Sequence, residues 1–236
     1  MKWLAGWIVL GCLVVLISEV GADFKDGIEA YGHGDYATAL RAFWPVAQQG
    51  DAAAQFNIGV MYANGRGMPQ DFLLAMHWYR VSAEQGFVAA QCNLGALYEK
   101  GQGTVPLYTE AVRWFRLAAE GGSPECQVNL ALMYHDGKGV AQDYGEARRW
   151  VHLAAENGNI PAVLILAQMC YEGRGELPNE VEALMWWDIA VARGSRTARG
   201  LRDALAKQMS AAQIQEAEEM ARRWLKKLST LERVSR

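Results

Sequence analysis

The chain has 236 residues, 51% hydrophobic and 21% charged, with a formal net charge of −3 and a pI near 5.9. That is an ordinary globular balance with no disordered tract, and it offers nucleic acid no global positive field. Six prolines among recurrent alanine and leucine lean the reading towards helix before any pattern is sought.

In chain order, the first element is an export signal. Met1 and Lys2 form a short charged start, Trp3 to Ile17 is an uncharged apolar run, and Val20-Gly21-Ala22 is a small-residue cleavage site before Asp23. The apolar run is shorter than the about 20 residues a membrane helix needs. The expected location is therefore the periplasm of a bacterium, with an inner-membrane anchor as the alternative if the segment is retained. Gly11-Cys12 loosely resembles a lipoprotein site, but the apolar run continues past it through Leu13 to Ile17.

Residues 23–49 are expected to form N-terminal capping helices, with Gly34 to Leu40 in register with the second helix of the units that follow. From there a 36-residue period sets the sequence. Glycine stands at 50, 86, 122, 158 and 194, and Gly-x-Gly pairs stand at Gly65/Gly67, Gly101/Gly103, Gly137/Gly139 and Gly173/Gly175. Alanine recurs at 75, 111, 147 and 183, and tryptophan at Trp78, Trp114, Trp150 and Trp186. Such self-similarity marks a repeat architecture whose units bury their apolar faces only by stacking. Each unit reads as two helices. The first, near 52–64, stops at the Gly-x-Gly turn, and Gly59 within it is expected to let another backbone approach. The second starts near Asp71, with Asp143 and Asn179 in the same capping column; its tryptophan is expected to be core. Four repeats occupy 50–193. The pattern dissolves after Gly194, and residues 194–236 are expected to be C-terminal capping helices, the last opened by a Ser210–Gln213 capping box.

The run Ala54-Gln55-Phe56-Asn57-Ile58-Gly59-Val60-Met61-Tyr62-Ala63-Asn64-Gly65-Arg66-Gly67, followed by Asp71, Ala75, Trp78, Tyr79 and Ala83, resembles the Sel-1-like repeat family, a relative of the tetratricopeptide repeat. The resemblance implies an all-α, α/α superhelical solenoid that binds proteins or peptides. A cysteine-rich branch of that family bridges its helices with regularly spaced cysteine pairs, a pattern absent here. Cys92, Cys126 and Cys170 replace apolar residues in their columns, so buried free thiols are expected.

The sequence holds no His-x-x-x-His, Cys-x-x-Cys, Ser-x-x-Lys, Gly-x-Ser-x-Gly or Walker-type loop. No cofactor, metal or nucleic acid is expected, and a membrane only through an uncleaved signal. The leading reading is a periplasmic adaptor or scaffold, not an enzyme. Its rivals are an envelope enzyme of the β-lactam or peptidoglycan type and a structural protein that binds polymer or membrane. Helical geometry places Asn57, Asn93 and Asn129 on the first helices, opposite the packed side, with Asn64, Lys100 and Asp136 at their ends. These are the candidate contacts for a peptide in the groove, although the asparagines would serve equally as ties between repeats. A second surface is a basic stripe on the second helices: Arg41, His77, Arg113 and Arg149, beside Arg80, Arg116 and His152. There Glu84, Glu120 and Glu156 are expected to pair with the residue four before them.

Overall fold

The structure, a computed structural model, describes residues 24–234. The expected signal segment, 1–22, lies outside the described residues. Among these, every regular element is a helix, and the chain divides into two compact units, one ending at Leu107 and the other beginning at Tyr108.

The first unit contains α1 (24–32), α2 (Tyr36–Gln48), α3 (Ala52–Asn64), α4 (Phe72–Ala83) and α5 (Val88–Lys100). Consecutive helices from α2 to α5 pack on one another. The core shared by α2 and α3 is Ala39, Phe43, Val46, Ala47, Ala54, Ile58 and Met61, with Phe24, Leu40, Trp44 and Trp78 against its edge. The second unit contains α6 (Tyr108–Glu120), α7 (Pro124–Asp136), α8 (Tyr144–Glu156), α9 (Ile160–Glu172), α10 (Glu180–Ala192), α11 (Arg196–Ala206) and α12 (Ala211–Val234). It packs in chain order too, with α12 lying on α10. Trp114, Trp150 and Trp186 are buried there, as expected. Trp78 in the first unit is only half-buried and meets Trp44 edge-on at 5.5 Å.

The helix boundaries follow from the residues at them. Asp51, Ser123 and Asn159 accept hydrogen bonds from the amides of Ala54, Cys126 and Ala162, and so cap first helices. Asp71, Asp143 and Asn179 cap second helices through the amides of Leu74, Glu146 and Glu182. Gly65, Gly101, Gly137 and Gly173 all end first helices in the left-handed conformation, at φ between 64° and 72°. The second glycine of each pair has a different task. A Cβ on Gly139 would lie 2.3 Å from the carbonyl carbon and oxygen of Tyr108, and one on Gly175 2.5 Å from the Tyr144 oxygen. Gly67 and Gly103 approach Tyr36 and Phe72 in the same way, at 3.0 Å. The turn therefore sits directly on the first residue of the preceding second helix, always aromatic: Tyr36, Phe72, Tyr108 or Tyr144.

A second tie repeats with the same period. The Gln55, Gln91 and Gln127 amides donate to the carbonyls of Ala47, Ala83 and Ala119, each eight residues earlier, at 3.1–3.2 Å. These carbonyls belong to the last turn of a second helix, and each also accepts from the amide of the glycine three residues on, Gly50, Gly86 or Gly122.

Two expectations change. Gly59 admits a side chain rather than a backbone: its Cβ would stand 2.6 Å from the Tyr79 ring. Cys92 and Cys126 are disulfide-bonded, not free thiols. Their columns reveal which face each occupies but not which sulfur it meets. Only Cys170 is a buried free thiol among the described residues, and burial pushes it up to about 11, keeping it protonated. Past Gly194 the chain forms two further helices, α11 and α12. Ser195 caps α11 through the Ala198 amide, before the Ser210–Gln213 capping box opens α12 with both reciprocal bonds in place.

Candidate functional site

The six candidate contacts fall into two sets, one in each unit. Asn57 and Asn93 are half-buried on α3 and α5, with Asn64 and Lys100 exposed as the last residues of those helices. In the second unit Asn129 is half-buried on α7, and Asp136 is its exposed last residue.

Equivalent positions do not have equivalent bonding. Asn57 donates to the Ala53 carbonyl of its own helix at 2.8 Å, and Asn64 donates to Val60 at the same distance. Asn93 hydrogen-bonds the Tyr79 phenol, whose pKa burial pushes up to about 12. This pairing is a tie between α4 and α5. Thirty-six residues away in either direction the place of Tyr79 is taken by Phe43 or Phe115, whose rings offer no oxygen. Asn129 accordingly makes no side-chain hydrogen bond among the described residues. Asp136 is engaged by Lys138 and by His135, each at 2.8 Å, and these bonds, Lys138 first, hold its carboxyl below the usual range. Lys100 has no partner among the described residues.

The basic stripe is ion-paired in part, at Arg113, Arg149 and His152. Arg80 and Arg116 do not pair with Glu84 and Glu120. They donate to the hydroxyls of Tyr98 and Tyr134, each 18 residues on; the Arg116 bond is 2.7 Å. A phenol on a neighbouring helix is a better-desolvated acceptor than a solvated carboxylate on the same face, so it wins. Only His152 stands near its expected partner, 3.8 Å from Glu156. Arg113 and Arg149 pair with Glu110 and Glu146 at 3.4 and 2.9 Å and lie over the rings of Trp114 and Trp150. Where Cys170 replaces the tyrosine, Arg148 supplies the cation. It donates to the Cys170 sulfur at 2.9 Å and pairs with Glu182 at 2.9 Å.

Sequence reasoning passed over the Arg–Tyr bridges, the Gln55 column and the aromatic residue under each Gly-x-Gly turn. All three recur at 36-residue intervals, so the signal was present in the period itself. No group of three or more His, Cys, Asp and Glu side chains among the described residues is placed to hold a metal ion. No helix among them is long and apolar enough to cross a membrane.

The architecture is that of an α/α repeat protein, a solenoid class built from helix pairs. The Sel1 repeat model matches residues 52–87, 88–123, 124–159 and 160–195, and the chain belongs to the Sel1 repeat family. A Sel1 repeat protein from Oxalobacter formigenes is similar in structure, with a TM-score of 0.74 and 30% identity over 86% of this chain and 84% of that one. A second similar structure is c5321, a protective antigen present in uropathogenic Escherichia coli strains and displaying an SLR fold. It shows a TM-score of 0.54 and 28% identity over 89% of this chain and 54% of that one. No curated protein matches. Repeats of this family generally mediate protein–protein interaction and typically form non-enzymatic scaffolds.

Proposed function

We propose that this protein is an exported, periplasmic adaptor that holds a protein or peptide against the first helices of its repeats. In this reading residues 23–49 and 194–236 cap the array at 50–193. Export is supported by the charged start, apolar run and small-residue site within 1–22. The disulfide-bonded Cys92 and Cys126 support it as well, because such bonds persist in oxidising compartments.

One observation carries the binding surface: the half-buried Asn129 amide, with two donors and an acceptor and no partner among the described residues. A half-buried amide left in that state suits an extended peptide backbone, which offers one donor and one acceptor per residue. In the second unit the exposed Asp136 accompanies Asn129. In the first, Lys100, also without a partner, is the contact, with Asn57 and Asn64 as further polar contacts, and Asn93 serves the fold first.

The test compares two equivalent asparagines in the mature chain, with its start at Asp23 verified by mass spectrometry, as bait for periplasmic proteins. Asn129→Ala is expected to weaken partner binding about 5- to 10-fold, the scale of one hydrogen bond, with an unchanged melting temperature. Asn93→Ala is expected to lose about 1 kcal/mol of stability, because the buried Tyr79 hydroxyl loses its partner. The opposite allocation, with Asn129→Ala unfolding and Asn93→Ala affecting only binding, would reverse the assignment.

A further inference from the structure

The first unit contains an open depression of about 510 Å³ lined by Leu40, Arg41, Trp44, Pro45, Tyr62 and Met68. Its meaning comes from the repeat register. Thirty-six and seventy-two residues after Trp44 stand Arg80 and Arg116; at the same intervals after Tyr62 stand Tyr98 and Tyr134. In those two later copies the arginine reaches the tyrosine hydroxyl, and the Arg116 guanidinium also lies 6.0 Å from the centre of the Tyr134 ring. In the first copy the arginine is absent. Trp44 stands in its place, and the Tyr62 hydroxyl makes no hydrogen bond among the described residues.

We propose that this depression is a docking site for an arginine side chain of a partner protein, whose guanidinium takes the place that Arg80 and Arg116 fill elsewhere in the chain. The surroundings suit that occupant. Trp44 and Tyr62 supply two aromatic rings, the surfaces on which guanidinium groups stack. The Tyr62 hydroxyl supplies an acceptor, and Leu40, Pro45 and Met68 supply an apolar wall for the aliphatic stem. Arg41 at the rim does not exclude a cation. Its counterpart Arg113, whose charge Glu110 offsets at 3.4 Å, stands three residues from Arg116, and Arg116 still makes its tyrosine bond; near Arg41 the carboxylate that feels its charge is Asp35. Arg41 is moreover turned to the Thr38 hydroxyl at 2.9 Å. None of the proposed asparagine contacts lines the depression, so Asn129→Ala, in the other unit, is expected to leave it intact.

The test uses the natively purified full protein labelled with 5-fluorotryptophan, titrated with acetyl-Gly-Arg-Gly-amide and followed by fluorine NMR. The Trp44 resonance is expected to shift saturably, together with that of Trp78, whose ring lies 5.5 Å away. The citrulline tripeptide, equal in shape but uncharged, is expected to bind at least ten-fold more weakly. Trp44→Arg restores the residue of the later copies, so it is expected to fold, with some stability lost along with the Trp44–Trp78 contact. It should abolish the Trp78 response because the chain now occupies its own site. Tyr62→Phe removes only the acceptor and is expected to weaken the titration several-fold. The proposal is overturned by equal responses to arginine and citrulline, by no saturable shift, or by an unchanged Trp78 titration in Trp44→Arg.

Discussion

Gly139→Ala is expected to be among the most damaging single-methyl changes available to this chain. Two costs coincide at that position. The backbone stands at φ +71°, where a side chain bears a penalty of about 1–2 kcal/mol. The added carbon would also meet the Tyr108 carbonyl at 2.3 Å, a backbone contact that no rotamer change relieves, and overpacking of this kind costs about 1–3 kcal/mol. Together the two predict a loss of about 2–5 kcal/mol by denaturant unfolding. Gly158→Ala makes the control. It shares the positive φ, at 78°, but its nearest neighbour is a Leu228 methyl at 3.7 Å. It should therefore lose only the backbone part. Equal losses at the two positions would mean that the turn does not rest on the preceding helix.

Trp114→Ala is expected to cost about 3–5 kcal/mol, the range for deleting a large buried aromatic side chain. Trp114 is 4% exposed on α6. Because each helix pair is stabilised by its neighbours, the loss should extend beyond α6 and α7, with faster amide exchange in α8. Trp78→Ala should cost clearly less, since that indole is half-buried. A melting curve that barely moves for Trp114→Ala would show that the tryptophan column is a surface platform rather than core.

Much of the fold was legible because its determinants are local and periodic. The glycine that ends each first helix, the Asp or Asn that caps a second helix, and the Ser210–Gln213 box all act within a few residues, so spacing alone reveals them. What stayed hidden depends on which side chain faces which across helices. Arg80 and Glu84 satisfied a rule for one helix, yet Tyr98 on the next offered the better acceptor. Cys92 and Cys126 lie in different columns, and a column gives a face, not a partner sulfur. The asparagine column was read as one functional set, but the facing column changes from Phe43 to Tyr79 to Phe115. Only one asparagine of the three therefore finds a phenol. The period makes the repeats visible, whereas departures from the period mark the proposed site.

The most direct measurement places a photo-crosslinking amino acid at position 129 of the protein, and separately at position 149, in living cells. The first position tests the first-helix face and the second the arginine stripe. The account predicts a discrete protein adduct from position 129 and none from position 149. An adduct from position 149 alone, diminished by salt as exposed charges require, would contradict it and move the binding surface to the second helices.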